Sequence, residues 1–338
     1  MAEAAHTTVS QDPDAVPVQT RAGTTPTQPE RIVIALGGNA LLRQGDAGTA
    51  AEQTARSLAA IHALVPLITP QRHVVITHGN GPIIGNILIR QQHTSHLVPA
   101  MPLDVCGAES QGSIGYVLER CLVQTLQQQH IDRPVATVLC MVEVDPHDSA
   151  FAHPSKPIGP FLSPAEAQEI GRSVPVVHEA DRGFRRVVAS PMPQRIIERP
   201  AIETLLGAGV IVITLGGGGV PVARKNVNEL VGIEAVIDKD LSSSLLAREI
   251  QASSLIILTD IDHVYLNFLG RQRNAVRRMG VHEAEEHLER GEFLAGSMAP
   301  KVMAGIEFLR YGGQRVLIGL PEELPALLQG EAGTEITP

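Results

Sequence analysis

The side chains of this sequence best suited to chemistry are its lysines, because they are scarce. The chain holds four lysines against 23 arginines, so arginine supplies the ordinary surface cations. A lysine ammonium is a compact point charge that a planar guanidinium does not replace. Lys239 stands between two carboxylates, Lys301 lies near a predicted helix N-terminus, and Lys156 lies in a proline-rich segment. We interpret these three as functional cations; a surface lysine is the alternative for Lys156, and a surface ion pair for Lys239.

Glycine-rich turns follow three strongly apolar predicted strands, at residues 32–36, 73–77 and 210–215. Without a Cβ, glycine lets backbone N–H groups approach an anion closely. Ligands of an open α/β sheet bind at the carboxyl ends of its strands. Each turn alone could be an ordinary strand-to-helix connection. Together they predict an anion site built from Gly37, Gly38 and Asn39, from Gly79, Asn80 and Gly81, and from Gly216, Gly217, Gly218 and Gly219.

The glycine turns and the lysines together describe a site for a polyphosphate and a second small anion. Phosphoryl transfer suits this inventory, because it requires positioning and charge neutralisation with little proton chemistry. The lysines would neutralise phosphoryl oxygens, while Asp238 and Asp240 would hold Lys239, or a metal, in place. The helix macrodipole disfavours a cation at Lys301, which an anionic ligand would explain. His78 could be mistaken for a general base but more simply orients its turn.

Motifs of several other enzyme classes are missing from the sequence. There is no G-x-x-x-x-G-K-[ST] P-loop, and the first turn reads G-G-N-A where a dinucleotide-binding turn needs G-x-G-x-x-G. The H-R-D and D-F-G pair of protein kinases and the G-x-S-x-G hydrolase elbow do not occur either. A net charge of −9 argues against general nucleic-acid affinity.

The elements that must position these residues alternate between strand-like and helix-like, which predicts a soluble α/β protein. Capping boxes at Thr49–Glu52 and Ser163–Glu166 each predict a helix start. Residues 135–140 read as one strand, residues 316–318 as the final strand and residues 324–328 as the final helix.

Two segments differ from this alternation. Residues 1–30 lack periodicity and are rich in Ala, Thr, Pro and Gln, which predicts a disordered tail. Residues 143–190 hold six prolines and read as an inserted lid or small subdomain. We assign about residues 31–225 to an acceptor and phosphoryl half and about 226–338 to a nucleotide half of one domain.

The cellular compartment is indicated by cysteine use and hydropathy. The three cysteines, Cys106, Cys121 and Cys140, form an odd set without metal-type spacing, which is typical of reduced, buried thiols. No apolar run approaches the ~20 residues of a membrane span, and the N-terminus lacks the pattern of a secretory signal. We expect a cytoplasmic protein without membrane partners.

Six motifs follow one another along residues 31–338: Ala35-Leu-Gly-Gly-Asn-Ala40, Thr77-His-Gly-Asn-Gly-Pro82, Ser155-Lys-Pro-Ile-Gly-Pro-Phe161, Gly216-Gly-Gly-Gly-Val-Pro221, Val236-Ile-Asp-Lys-Asp240 and Gly296-Ser-Met-Ala-Pro-Lys301. In this order and spacing they resemble the carbamate kinases of the amino acid kinase superfamily. Any one motif would be weak, but six in order are specific.

The resemblance implies a three-layer αβα sandwich with a central, mainly parallel, eight-stranded sheet and a protruding subdomain at about 143–190. It implies a homodimer that converts ATP and carbamate reversibly to ADP and carbamoyl phosphate, often towards ATP at the end of arginine, agmatine or allantoin breakdown. Mg²⁺ would be carried by the nucleotide, with no metal site on the protein.

The resemblance also implies roles for individual residues. Gly37, Gly38 and Asn39 with Gly79, Asn80 and Gly81 would hold carbamate and the transferring phosphoryl group. Lys156, Lys239 and Lys301 would be the catalytic cations, and Asp240 their organiser. The nucleotide side would be formed by Gly216 to Gly219, Asp238, Asp260, Tyr265 and Met298. Relatives in the superfamily often place a lysine before the first Gly-Gly; here Ala35-Leu36 stands there, and Lys156 would supply the charge.

The sequence departs from the family pattern at several positions. Glu109 and Ser113 stand where Met and Trp are expected, which could alter the acceptor pocket or dimer packing. Phe184 replaces a Trp, Ala299 replaces a Gly, and the loop at 267–272 differs, which could change adenine affinity. Two alternatives therefore stay open: a kinase of another small carboxylate or phosphonate, and an inactive nucleotide-binding regulatory paralogue.

Overall fold

The computed structural model describes residues 29–38, 41–42, 46–172, 174–179, 183–268, 273–294 and 296–338. The strands of these residues are β1 Glu30–Leu36, β2 Arg72–His78, β3 Val135–Thr137, β4 Met141–Val144, β5 Lys156–Leu162, β6 Val176–Glu179, β7 Gly183–Val188, β8 Pro193–Ile196, β9 Ile211–Thr214, β10 Val220–Asn226, β11 Glu229–Gly232, β12 Ser254–Leu258, β13 Val264–Leu266, β14 Asn274–Val276, β15 Arg278–Gly280, β16 Arg315–Gly319 and β17 Thr334–Thr337. The α-helices are α1 Ala50–Leu64, α2 Gly81–Thr94, α3 Leu103–Gln128, α4 Pro164–Ile170, α5 Arg199–Gly207, α6 Lys239–Glu249, α7 Val281–Glu289, α8 Met298–Arg310 and α9 Leu324–Gln329.

An eight-stranded sheet forms the centre of the molecule, in the order β15-β17-β16-β12-β1-β2-β9-β3. All neighbours run parallel except β16 and β17. Alternate residues of β1 face opposite sides: Val33 and Ala35 belong to one apolar core, and Ile32, Ile34 and Leu36 to another. A strand that is buried on both faces is apolar throughout, as parallel sheets covered by helices require. The predicted eight-stranded αβα fold is confirmed.

Within the described residues, three smaller sheets accompany the central one, the smallest being the antiparallel pair of β13 and β14. Strands β11, β10, β4 and β8 form a four-stranded mixed sheet, and β5, β7 and β6 form an antiparallel sheet within residues 143–190. The three-stranded sheet packs on helix α2, where a Cβ added to Gly85 would lie 2.1 Å from Gly159 Cα. Only glycine permits that contact, so this position joins the inserted segment to the central domain.

Local signals predicted helix starts well and short strands poorly. Both capping boxes are present, at the N-termini of α1 and α4. The prediction of one strand at residues 135–140 is wrong. Strand β3 ends at Thr137, and the next strand, β4, begins at Met141 and belongs to another sheet. Between the two strands, the Gln111 side chain bonds the backbone of Cys140 as a neighbouring strand would. Its Nε2 donates to Cys140 O and its Oε1 accepts from Cys140 N, each at 3.0 Å.

The chain end also differs from expectation. Residues 316–318 are not the final strand, since β17 follows α9 and pairs antiparallel with β16. The polar Thr-Glu-Ile-Thr sequence of β17 hid it from a search for apolar runs. The three cysteines are free and buried, as expected. Within the described residues, no helix has both the length and the hydropathy to cross a membrane.

Candidate active site

Lys239 and Lys301 meet at one buried carboxylate. Lys239 opens α6 and Lys301 lies in the first turn of α8. The Nζ of Lys239 donates to Asp240 Oδ1 at 2.5 Å, and the Nζ of Lys301 donates to Asp240 Oδ2 at 3.0 Å. Each oxygen of Asp240 therefore holds one ammonium. The structure thus brings together two of the predicted catalytic lysines and their predicted organiser.

The charges in this group are unbalanced. Burial favours the neutral acid of Asp240, but the ammonium groups of Lys239 and Lys301 outweigh it and hold its pKa well below the usual range. Burial lowers the pKa of Lys239; Asp240 opposes this, and the charge of Lys301 adds to it. Burial also acts on Lys301, but the attraction of Asp240 outweighs it and raises the pKa. Two cations on one anion leave a net positive charge, which an anionic ligand would balance.

Lys156 reaches the same helix N-terminus from the three-stranded sheet. Its Nζ donates to Asp238 Oδ2 at 2.5 Å across 82 residues of sequence. The other oxygen of Asp238 caps α6 by accepting the N–H of Asp240 at 2.8 Å. Asp238, assigned from the sequence to the nucleotide side, thus contacts Lys156 and its own helix. The three lysines are joined through the consecutive residues 238–240.

The first two glycine turns lie side by side. A Cβ added to Gly79 would lie 2.7 Å from Gly38 N, so these backbones touch. The N–H of Gly37 donates to Leu258 O at 2.8 Å and that of Gly79 to Leu36 O at 2.9 Å, which continues the parallel ladders. These two amides are therefore engaged within the protein. Gly81 opens α2, and its N–H is one of those that a helix leaves without an intrahelical partner.

Within the described residues, the Gly38 amide has no backbone acceptor. The Gly38 and Gly81 amides are thus better suited to an anion than those of Gly37 and Gly79. Asn39, which we also assigned to this cradle, lies outside the described residues.

The third turn, Gly216 to Gly219, is buried between β9 and β10. Gly217 has a φ of +63°, and a Cβ there would lie 2.1 Å from Asn80 Nδ2. The Asn80 amide fills the space that a side chain would need, and its Nδ2 donates to Ser110 Oγ at 2.8 Å. Asn80 therefore links the acceptor-side turn to this third turn. Ser110 was not recognised from the sequence.

His78 is buried beneath the same turn. Its Nδ1 donates to the Gly79 carbonyl at 3.2 Å, and its ring lies where a Cβ of Gly216 would be. Burial lowers the pKa of His78 to about 4; the Gly79 carbonyl opposes this and Lys239 adds to it. The ring is 1% exposed and fills the space beneath this turn, which supports its interpretation as a residue that orients the turn or fills space.

The residues assigned to the nucleotide side are spread over the ends of β12, β13 and α8. Asp260 is exposed directly after β12 and interacts with Thr259, whose Oγ1 donates to its carboxylate at 3.2 Å. Met298 is buried at the start of α8. The Tyr265 hydroxyl donates to Asp262 at 3.0 Å, and Asp262 is a neighbour that sequence reasoning missed.

The chemistry that this arrangement supports is charge neutralisation by pre-positioned cations. Three ammonium groups converge on one helix N-terminus, and the half-buried glycine turns lie at the ends of the neighbouring strands β1 and β2. Such preorganised groups stabilise charge where it develops in a transition state. The site contains no histidine available as a base among its described residues, which suits an acceptor that is already an anion.

Comparison with known proteins places this fold in a family. Residues 30–319 match the Amino acid kinase family. The carbamate kinase of Pyrococcus horikoshii is 42% identical over 314 residues, covering 92% of this chain and 100% of that protein. The carbamate kinase-like protein YahI of Escherichia coli is 41% identical, covering 91% of this chain and 98% of its own length.

Solved structures agree with these relatives. Carbamate kinase from Giardia lamblia bound to AMP-PNP has a TM-score of 0.83 at 36% identity, covering 91% of this chain and 98% of that one. The same enzyme bound to citric acid has a TM-score of 0.86 at 36% identity, with 91% and 98% covered. The chain belongs to the amino acid kinase family, and within it to the carbamate kinases.

Proposed function

We propose that this protein catalyses reversible phosphoryl transfer between ATP and carbamate, giving ADP and carbamoyl phosphate. The single observation that carries this proposal is the convergence of Lys156, Lys239 and Lys301 on the residues 238–240. Carbamate is an oxyanion and attacks phosphorus without losing a proton first. The reaction therefore needs cations and positioning more than acid–base groups.

In the proposed reaction, the carbamate oxygen forms a bond to the γ-phosphorus as the bond to the β–γ bridging oxygen breaks. Lys239 and Lys301 neutralise the phosphoryl oxygens, and Asp240 keeps both ammonium groups in place. Lys156 releases Asp238 or shares it while contacting the acceptor or the transferring group. The Gly38 and Gly81 amides donate to the acceptor side, and the Gly216 to Gly219 turn, Asp260, Tyr265 and Met298 border the nucleotide.

Mg²⁺ is proposed to enter on the nucleotide. The described residues contain no group of three acidic, His or Cys side chains that could hold a metal. Magnesium in kinases is commonly held by nucleotide phosphates plus one or two carboxylates, which is compatible with a site of this kind. The ion would supply further neutralisation of the phosphate charge.

The physiological setting is proposed from the family. We infer a cytoplasmic homodimer that works towards ATP in arginine, agmatine or allantoin catabolism. Glu109 and Ser113 are both exposed on α3. This position favours an effect on dimer packing over one on the acceptor pocket. An open groove of about 620 Å³ lies on the same helix, lined by residues that include Gly112, Tyr116 and Arg120, and is a candidate subunit contact.

The test is ATP formation from ADP, Mg²⁺ and carbamoyl phosphate. We expect the wild-type protein to form ATP, and Lys156→Ala and Lys301→Ala each to abolish it. No ATP at high enzyme concentration would contradict the proposal. A forward screen of small carboxylates and phosphonates then tests a different acceptor, and ATP binding without any turnover would indicate an inactive paralogue.

A further inference from the structure

Three consecutive serines follow the Lys239–Asp240 pair in helix α6. Ser242, Ser243 and Ser244 are all buried. Serine is a weak helix former, because its hydroxyl competes for backbone groups. A buried hydroxyl also needs a hydrogen-bond partner. Since successive residues of an α-helix are rotated by about 100°, the three hydroxyls must find their partners in three directions.

Ser242 reaches the glycine-rich third turn. Its Oγ donates to Gly218 O at 2.7 Å. Gly218 lies in the Gly216 to Gly219 turn that also contacts His78 and Asn80. This hydrogen bond therefore fixes the distance between α6, which carries Lys239 and Asp240, and the turn proposed to border the nucleotide.

Ser243 reaches the end of strand β2. Its Oγ donates to Lys239 O at 2.7 Å and also lies 2.7 Å from Thr77 Oγ1. Because the serine proton is engaged with Lys239 O, the Thr77 hydroxyl is the donor in the second bond. Thr77 lies two residues before Gly79. Ser243 thus connects the backbone of a site lysine to the strand that carries the acceptor-side turn.

Ser244 reaches helix α8. Its Oγ donates to Ala304 O at 2.7 Å. Ala304 lies three residues after Lys301, which is nearly one helical turn. Each serine thus ties α6 to a different element of the site, through contacts separated by 24 residues for Ser242, 166 for Ser243 with Thr77, and 60 for Ser244.

We propose, on the basis of the function proposed above, that Ser242, Ser243 and Ser244 are positioning residues, each setting the place of one substrate-contacting element relative to Lys239 and Asp240. Ser242 positions the nucleotide turn, Ser243 the acceptor turn, and Ser244 the helix of Lys301. In this proposal each serine acts through the element that it bonds and not on the reacting atoms. Their effects on the reaction are therefore separable, whereas a general packing role would affect all parameters alike.

The test uses the three single Ser→Ala variants and, as control, Ser57→Ala, a buried serine of α1, a helix that carries none of the site residues. Loss of one hydrogen bond is worth roughly fivefold to tenfold. We expect Ser242→Ala to raise KM for ADP by about that factor, Ser243→Ala to raise KM for carbamoyl phosphate, and Ser244→Ala to lower kcat with both KM values within about twofold. Ser57→Ala should change none of these constants.

Binding of AMP-PNP, measured by calorimetry, provides a readout that does not need turnover. Ser242→Ala should weaken this binding by the same factor as KM, and Ser57→Ala should leave it unchanged. The inference is overturned if the three variants show one common pattern, if they match Ser57→Ala, or if AMP-PNP binds Ser242→Ala as tightly as the wild type. Wild-type protein that makes no ATP contradicts the proposed function instead, and the calorimetric comparison still decides the role of Ser242.

Discussion

The two ion-pair groups at the start of α6 lie two residues apart but are built differently. In the inner group, Lys239 and Lys301 have side chains 11% and 14% exposed, and Asp240 is 4% exposed. In the outer pair, Lys156 is 29% exposed and Asp238 11%. The inner lysines come from helices of the central domain, whereas Lys156 comes from the separate three-stranded sheet. The outer cation is thus the one that reaches the site from another sheet.

The two groups differ in how firmly their geometry is determined by the folded protein. The two buried ammonium groups of the inner group share one carboxylate, and removing that carboxylate would leave both charges buried and unpaired, so its geometry is strongly determined. Asp238 has a second task, since it caps α6 with its other oxygen, and the cap persists if Lys156 moves away. We infer that elements of the central domain alone fix the inner group, and that Lys156 completes the site from the inserted sheet.

The strongest test of this comparison is one substitution made at both carboxylates. Asp240→Asn removes the charge that both buried ammonium groups share, so we expect the free energy of unfolding to fall by about 4 kcal/mol and kcat to fall about a thousandfold. Asp238→Asn keeps the cap, because asparagine caps helices as well as aspartate. It removes one hydrogen bond between charged groups and should lower the unfolding free energy by about 2 kcal/mol, less than Asp240→Asn does.

Urea unfolding and steady-state ATP formation measure these two effects. The comparison fails if the two variants lose the same stability, or if Asp238→Asn is the less stable one. Such a result would mean that the outer pair is as much part of the folded core as the inner group.

A second test uses His78, whose pKa is lowered in part by the charge of Lys239 in the inner group. The unfolded chain titrates histidine near pH 6.5, whereas burial, aided by Lys239, places the pKa of His78 at about 4 in the folded protein. Between these values the unfolded state binds more protons, so the free energy of unfolding decreases as the pH is lowered from about 6.5 to about 4, by about 3 kcal/mol. Asp240, with its lowered pKa, should contribute only below about pH 4.

The measurement is urea unfolding from pH 7 to pH 4 for the wild type and His78→Gln. The variant should lack the part of the pH dependence that lies between 6.5 and 4. An unchanged slope in His78→Gln would contradict the assignment and leave other groups as the cause.

Much of this architecture follows from local sequence, for identifiable reasons. Residues 255–258 of strand β12 are all apolar because both faces of the strand are buried. Such a run can be recognised in the sequence without knowing which strands lie beside it. The Thr49–Glu52 capping box acts over three residues and predicted its helix start correctly. The six motifs predicted the family because each encodes a local backbone requirement at a strand or helix end.

Features that depend on distant partners could not be read in the same way. The bond between Lys156 and Asp238 spans 82 residues, and nothing local to either residue specifies it. The amides of Gly37 and Gly79 had the right residue type for an anion but are taken by neighbouring strands, which only the sheet order reveals. The sequence analysis gave the serines of α6 no role, because their partners lie on three distant elements.

The smallest expected effect concerns Lys225, the one lysine to which the sequence assigned no role. It lies near the end of β10, with a side chain 68% exposed, and pairs with Glu229 at 3.3 Å on the same hairpin. Exposed pairs contribute little, because water screens them and both side chains stay mobile. Lys225→Ala should therefore leave kcat and both KM values within about twofold of the wild type. Its free energy of unfolding should change by less than about 0.5 kcal/mol. Lys156→Ala, by contrast, should abolish ATP formation. Loss of activity in Lys225→Ala would show that scarcity, and not position at the start of α6, marks the functional lysines.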